Sequence, residues 1–329
     1  MKKIENLILG SGIGGLAAGK FFGKSNHLIL DKNKELQRNF HNGVHYLHSI
    51  PLIDVDIEFK EIKIDEVVYD GKELKYVPDL KDAIDYSEKA TGLIQPTSIF
   101  SLGKKKSCYV PESNNMNDLI DELAKECNIN FDEAVEKIDM ENKIVKTSKE
   151  EYQYENLIST LPLNLLLWMV GIETDAKFDC NKIHIHNFKV KNVIPDWLMS
   201  IYVSFKDYDS YRLTVLNNLI SIETTAESEK DNICSEVGCM LPSIEFDKDS
   251  YEYGCWETGK VISISSAQRE EAVVKLIREQ IFTIGRFGLW NRELLIDSTI
   301  AQAKVVYEYI QADKNEGVAD YSPVLKQLV

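Results

Sequence analysis

The residues best equipped for chemistry lie near the start of the chain. Gly10-Ser11-Gly12-Ile13-Gly14-Gly15 satisfies GxGxxG at Gly10, Gly12 and Gly15, with Gly14 inside the motif, Gly19 one turn on and Asp31 21 residues after Gly10. Such glycines have separate jobs. The first permits a tight turn, the second lets backbone approach a pyrophosphate, and the third brings a helix close to a sheet. The N–H groups and dipole at the start of that helix favour phosphate. A carboxylate at Asp31 accepts hydrogen bonds from the hydroxyls of an adenosine ribose and disfavours a ribose phosphate.

That chemistry needs a strand, a helix and a second strand around it, and the sequence supplies them. Residues 5–10 form a short apolar run opening on glycine, which suits a buried parallel strand. A small-residue helix over 13–22 follows, and 27–31 reads as the next strand, completing a βαβ unit. The fingerprint serves NAD and FAD alike, so at this level the dinucleotide stays open.

Bulk properties set the frame. At 329 residues the chain has room for about two domains. Its net charge of −15 argues against nucleic-acid backbones and anionic membranes as partners. No apolar run is long enough to span a bilayer, and the first residues read as a strand rather than a signal peptide, so a cytoplasmic protein is expected. The six cysteines form no CxxC pair, which points to free thiols rather than a disulfide framework or zinc ribbon.

Further along, Asp70-Gly71 between two β-rich runs predicts a hairpin. Asn114 or Asn115 is placed to cap an amphipathic helix carrying Leu119, Ile120, Leu123, Ala124 and Cys127 on one face. Strands are expected around Val135, at 144–145 and at 156–160. Residues 180–265 alternate β-branched and polar residues and predict an antiparallel layer, with His184 and His186 on one face of a strand. Helices over 268–280 and 298–310 flank a short strand at 281–284.

The segment Ile284-Gly285-Arg286-Phe287-Gly288-Leu289-Trp290, followed by Asp297 and a helix, resembles the final cofactor-binding element of UDP-galactopyranose mutases and the related protoporphyrinogen oxidase and amine oxidase flavoproteins. Similar stretches recur in the same order: 39–48 with Gly43 and His45, 85–92, 111–116, 154–162 and 211–214. The resemblance implies FAD, held by Gly10, Gly12, Gly14, Gly15, Asp31, Lys32, Arg38, Val135, Thr160, Gly285, Arg286 and Asp297. It implies an α/β fold: a Rossmann-like FAD-binding domain with a parallel sheet from residues 1–50, 105–175 and 266–329. A β-rich mixed or antiparallel substrate domain, 51–104 and 176–265, is inserted into it.

The expected function is an FAD-dependent oxidoreductase of the amine oxidase-like group, acting on a small molecule by hydride transfer to flavin. The alternatives are a mutase-like isomerase of sugar nucleotides using reduced flavin, and a non-catalytic FAD-binding protein. Two positions depart from the family. Gln37-Arg38 stand where a Gly-Gly pair is usual, and Asn291-Arg292-Glu293 replace the tyrosines with which mutases hold a diphosphate.

Other candidates have plainer readings beside the sharp ones. His41, His45 and His48 fall at helical spacing, but Gly43 and Val44 argue against a helix and no carboxylate or cysteine is suitably spaced, so no metal site is expected. His45 is either a proton carrier beside the flavin or a structural histidine. Arg212 is a steering group for an anionic substrate, a flavin contact, or a solvated arginine. Lys104-Lys105-Lys106 reads as an exposed loop.

Overall fold

The computed structural model describes residues 1–38, 40, 43–94, 107–316 and 321–328; His41 and the lysines at 104–106 lie outside them. The chain opens with β1 (Lys2–Leu9), α1 (Ile13–Phe22) and β2 (His27–Leu30), the βαβ unit expected from the glycine spacing. Next come β3 (Phe59–Tyr69), β4 (Leu74–Lys75), α2 (Leu80–Thr91), β5 (Ser107–Pro111), α3 (Asn117–Lys125), β6 (Ile129–Asn130), β7 (Val135–Asp139), β8 (Ile144–Thr147) and β9 (Glu151–Ser159). After α4 (Leu163–Val170) the chain forms β10 (Cys180–Val203), β11 (Ser210–Thr224), α5 (Lys230–Met240) and β12 (Phe246–Val261). It returns through α6 (Ser266–Arg278), β13 (Ile281–Thr283), α7 (Gly285–Gly288), α8 (Ile296–Glu316) and α9 (Ser322–Leu328).

Two sheets result. The first runs β6-β2-β1-β9-β8-β7, with β13 also on β9. Strands β6, β2, β1, β9 and β13 are parallel, whereas β7 and β8 form an antiparallel hairpin. The apolar run of β1 is continuous because both faces are covered. Ile8 packs with Leu16, Leu123, Ile300 and Ala303, while Leu7 and Leu9 pack with Leu163, Leu167 and Ile138.

The second sheet runs β11-β10-β3-β4, with β12 on β10 and β5 on β3. The long strand β10 changes neighbours along its length: residues 180–190 pair with β12 and residues 197–203 pair in parallel with β3. The Asp70-Gly71 turn joins β3 to β4 as expected, with Val68 opposite Lys75. One face of this sheet buries Phe188, Ile201, Val203, Leu213 and Ile222 against α5; the other looks toward residues 43–48 and α2.

Three local expectations are corrected. Helix α3 has Met116 at its N-cap with no side-chain cap, and the Asn115 carboxamide accepts from the Asn117 amide instead. Helix α8 begins at Ile296, so Asp297 lies inside its first turn. Helices α2, α4, α5, α7 and α9 are not among the expected elements, although Asp79 and Asp82 form a reciprocal capping box at the start of α2. Among the described residues, no helix is long and apolar enough to cross a membrane.

Candidate functional site

The carboxyl ends of the parallel strands meet at one edge of the first sheet, and backbone bonds tie them together. The Gly10 amide donates to the Leu30 carbonyl (2.9 Å), the Thr160 amide to Leu9 (3.0 Å) and the Ile284 amide to Ser159 (3.0 Å). The residues just past these strand ends are Gly10, Asp31, Thr160 and Gly285, all singled out in the sequence. In open α/β sheets, ligands bind at this edge, where neighbouring connections diverge.

The glycines at this edge are set by space. A Cβ on Gly15 would lie 1.9 Å from the Gly10 carbonyl oxygen, and Gly10 itself has φ +95° with its missing Cβ facing Thr160 Oγ1 at 2.4 Å. A Cβ on Gly14 would meet Thr299 of α8 at 2.9 Å and Thr160 at 3.3 Å. A Cβ on Gly285, at φ +82°, would meet Thr299 at 3.2 Å. Thus α1 and α8 converge through Gly14, Thr160, Gly285 and Thr299. Gly12 is different: it is the N-cap of α1, makes no side-chain cap, and has open space where its Cβ would be.

Asp31 is buried and already partly engaged. Its Oδ2 accepts from the Ser11 amide (2.7 Å) and hydroxyl (2.6 Å), and its Oδ1 from the Asn33 amide (2.8 Å). A carboxylate has about four acceptor sites, so one remains for a ligand hydroxyl. The Glu133 amide donates to the Asp31 carbonyl (2.8 Å), which brings Val135 at the start of β7 to the same rim. Lys32 beside it is exposed. Arg38 is committed elsewhere, pairing with Asp121 of α3 at 2.8 Å on the surface.

At the opposite end of the cleft the groups are side chains. Arg286 of α7 donates from Nε to the Leu294 carbonyl (3.0 Å), and burial, with Arg212 nearby, lowers its pKa; it is a cleft residue rather than a surface one. Asp297 accepts from the Ser49 hydroxyl (2.9 Å) through Oδ2, while its Oδ1 is buried without a partner. His45 packs on Phe40 (ring centroids 4.8 Å apart) and acts electrostatically on Glu223. Arg212 is not a freely solvated arginine: it pairs with Glu223 (3.5 Å), reaches Tyr46 Oη (3.5 Å) and lies over the Tyr202 ring (5.8 Å).

Sequence reasoning missed three residues of this end. Lys260 sits over the Tyr211 ring at 4.1 Å and the Tyr86 ring at 5.3 Å, and donates to Tyr86 Oη (3.3 Å). Burial pushes its pKa down to about 7; Arg212, Arg292 and Arg286 push the same way against the pull of Glu223. Burial disfavours the Glu223 carboxylate, but Arg212 and Lys260 outweigh it and its pKa falls below the usual range. Tyr86 lies in the stretch 85–92 that resembles the family, but the helix α2 that positions it has no forecast in the sequence. A lysine within an alternating strand and a lone glutamate look like solvent-facing residues in a one-dimensional pattern. No signal short of three-dimensional pairing distinguishes them.

These groups lie deep among protein atoms yet keep water-accessible surface, 25% of the Arg212 side chain and 24% of that of Glu223. Depth combined with exposure marks the wall of a cleft rather than a packed core. Beside the backbone-lined strand edge at Gly10 to Gly15, the second sheet thus presents a charged, tyrosine-rich wall.

No sequence-family model and no curated protein matches the chain. Solved structures do. A reduced UDP-galactopyranose mutase superposes with a TM-score of 0.71 at 14% identity, covering 99% of this chain and 98% of the mutase. A protein from an Exiguobacterium species named for protoporphyrinogen oxidase gives 0.63 at 11% identity, over 95% and 99% of the two chains. Aklavinone-11 hydroxylase, solved with FAD and aklavinone, gives 0.55 at 12% identity, over 96% of this chain and 63% of the hydroxylase. The chain therefore has the fold shared by these proteins.

Proposed function

We propose that the chain binds FAD along this cleft and uses it as an oxidoreductase acting on a small molecule. The observation that carries the reading is the convergence of two helix N-termini, those of α1 and α8, on the carboxyl ends of β1, β9 and β13 through Gly14, Thr160, Gly285 and Thr299. Such termini favour anionic groups, here a pyrophosphate at one and an electron-rich ring at the other.

The residues fit the cofactor. The open space at Gly12 and the side-chain-free cap of α1 suit a phosphate pressed against backbone. Gly10, Gly12, Gly14 and Gly15 would hold the pyrophosphate, Asp31 the ribose, and Val135 the rim near the adenine. Thr160, Gly285, Arg286 and Asp297 would line the flavin end, where the partnerless Asp297 Oδ1 offers an acceptor. When bound, FAD supplies two-electron chemistry, accepting hydride from a substrate C–H bond. The chain's part is to exclude water, orient the substrate on the second sheet, and hold a proton at His45 or Lys260. This reading puts the second sheet on the substrate side, with β5 (Ser107–Pro111), expected in the FAD-binding part, paired to β3 within it.

Purified protein should be yellow and release FAD on denaturation; colourless protein that cannot be reconstituted with FAD would sink the proposal. A second reading, redox-neutral isomerisation of a sugar nucleotide, is favoured by the close superposition on the mutase. Against it stand Asn291-Arg292-Glu293 in place of diphosphate-binding tyrosines. Incubating reduced protein with UDP-galactopyranose and looking for ring-contracted product separates the two.

A further inference from the structure

The charged end of the cleft contains more positive than negative charge. Arg212 and Lys260 flank a group of three tyrosines: Tyr86 lies 5.4 Å from Tyr202 and 6.4 Å from Tyr211, ring centroid to centroid. Arg212 sits over the Tyr202 ring and Lys260 over Tyr211 and Tyr86. Two carboxylates stand among them: Glu223, whose Oε2 is taken by the Tyr211 hydroxyl and whose Oε1 faces Arg212, and Glu66, which accepts from the Tyr202 hydroxyl (3.3 Å). Arg286 and Arg292 also act on Lys260, so four basic side chains meet two carboxylates here, in a chain whose overall charge is −15. The Nε–H of Arg212 is buried with no acceptor. A donor without an acceptor and a surplus cation in a low-dielectric cleft are each costly unless a ligand completes them.

We propose that Arg212 and Lys260 form a receiver for a carboxylate, so that the substrate is a small organic acid whose apolar body lies against the Tyr86, Tyr202 and Tyr211 rings. The assignment rests on the cleft being the substrate side of an FAD site. The excess of basic over acidic side chains matches an anion, and aromatic walls match a flat or apolar body. Arg286 and Arg292 add to the field, but Arg286 is held by the Leu294 carbonyl beside Gly285, on the side assigned to cofactor.

Lys260 ties the receiver to pH. Its pKa in the free protein is held near 7 by burial and by Arg212, Arg292 and Arg286. A bound carboxylate adds negative charge and raises that pKa, so binding takes up a proton. Affinity is then full below pH 7 and falls as pH rises through the free value, by at most tenfold per unit. The other groups facing Lys260 keep their charge over this range: Glu223 stays ionised, the arginines stay cationic, and burial holds Tyr86 and Tyr211 neutral. His45 also faces Glu223 and needs a control.

The probe is benzoate, titrated calorimetrically into the purified protein, with FAD content measured separately by absorbance after denaturation. Benzoate should bind the parent protein. Lys260→Met and Arg212→Met should each weaken it at least tenfold with FAD content unchanged. Lys260→Arg should bind at pH 6 like the parent but lose most of the fall between pH 6 and 8. Several outcomes overturn the proposal: no benzoate binding, equal binding by the Met variants, displacement by equimolar inorganic phosphate, or a fall that persists in Lys260→Arg, which would assign the proton to His45. Loss of FAD from a folded Met variant would assign the cations to the cofactor instead. Parent protein that binds benzoate but never FAD would leave the receiver standing and remove the flavin reading alone.

Discussion

At the glycine end of the cleft, the groups placed to meet a ligand are backbone amides and the missing side chains of Gly10, Gly12, Gly14 and Gly15. At the tyrosine end they are the tips of Tyr86, Tyr202, Arg212, Glu223 and Lys260, brought in by α2, β10, β11 and β12. The first surface is a property of the chain's path and is specified within about 30 residues, the length of a βαβ unit. The second depends on strands far apart in sequence. A side-chain surface can be rewritten by point substitution while the sheet beneath it persists; a backbone surface cannot.

Substitutions can break or sharpen this contrast. The largest effect is expected at Gly15, where a methyl group would meet the Gly10 carbonyl oxygen at 1.9 Å. Gly15→Ala should cost about 3 kcal/mol or more of fold stability, read as a lowered denaturation midpoint, because neither backbone can yield. Gly12→Asp comes next and differs in kind. Space is open there, so the fold should persist by circular dichroism while FAD affinity drops by about a hundredfold or more, from charge placed against pyrophosphate. Undiminished flavin content in the folded variant would move the pyrophosphate away from α1.

Asp297→Ala should be milder. Its Oδ1 has no partner and its Oδ2 has one hydroxyl, so stability should change by under about 1 kcal/mol. Loss of one hydrogen bond from a charged group should weaken FAD by about tenfold and shift its reduction potential. The smallest effect belongs to Arg38→Ala. The Arg38–Asp121 pair is exposed, and such pairs contribute little. Melting temperature and FAD affinity should both stay unchanged; weakened FAD binding would show that Arg38 leaves Asp121 to reach the pyrophosphate.

The same contrast explains what could be read from the sequence. The βαβ unit, the hairpin at Gly71, β7 to β9 and β13 followed local signals: apolar runs bounded by glycine, and two-residue alternation. Helix α4 was missed because its nearly unbroken run, Leu163 to Val170, shows no periodicity that separates a helix from a buried strand. Strand β10 was seen only in fragments because its bulged middle, near Asp196 at φ +54°, interrupts the alternation. Of the two proposed catalytic residues, Arg212 and His45 do approach a common partner in Glu223. Lys260, their strongest companion, carried no signature in one dimension.

The pairing of β13 with β9, and the contact of α8 with α1 through Thr299 and Gly14, reach beyond the static site. A ribosome that has released only the glycine motif has made half a grip, since the opposing helix terminus arrives nearly 300 residues later. Contacts of such separation in sequence close slowly. Until they close, the unpaired edge of β9 above β8 is open to pairing with other chains. A ligand that binds only the closed form withdraws molecules from that vulnerable population by mass action. On the proposed FAD reading, cofactor present during synthesis raises the fraction of chains that close, before any reaction is run.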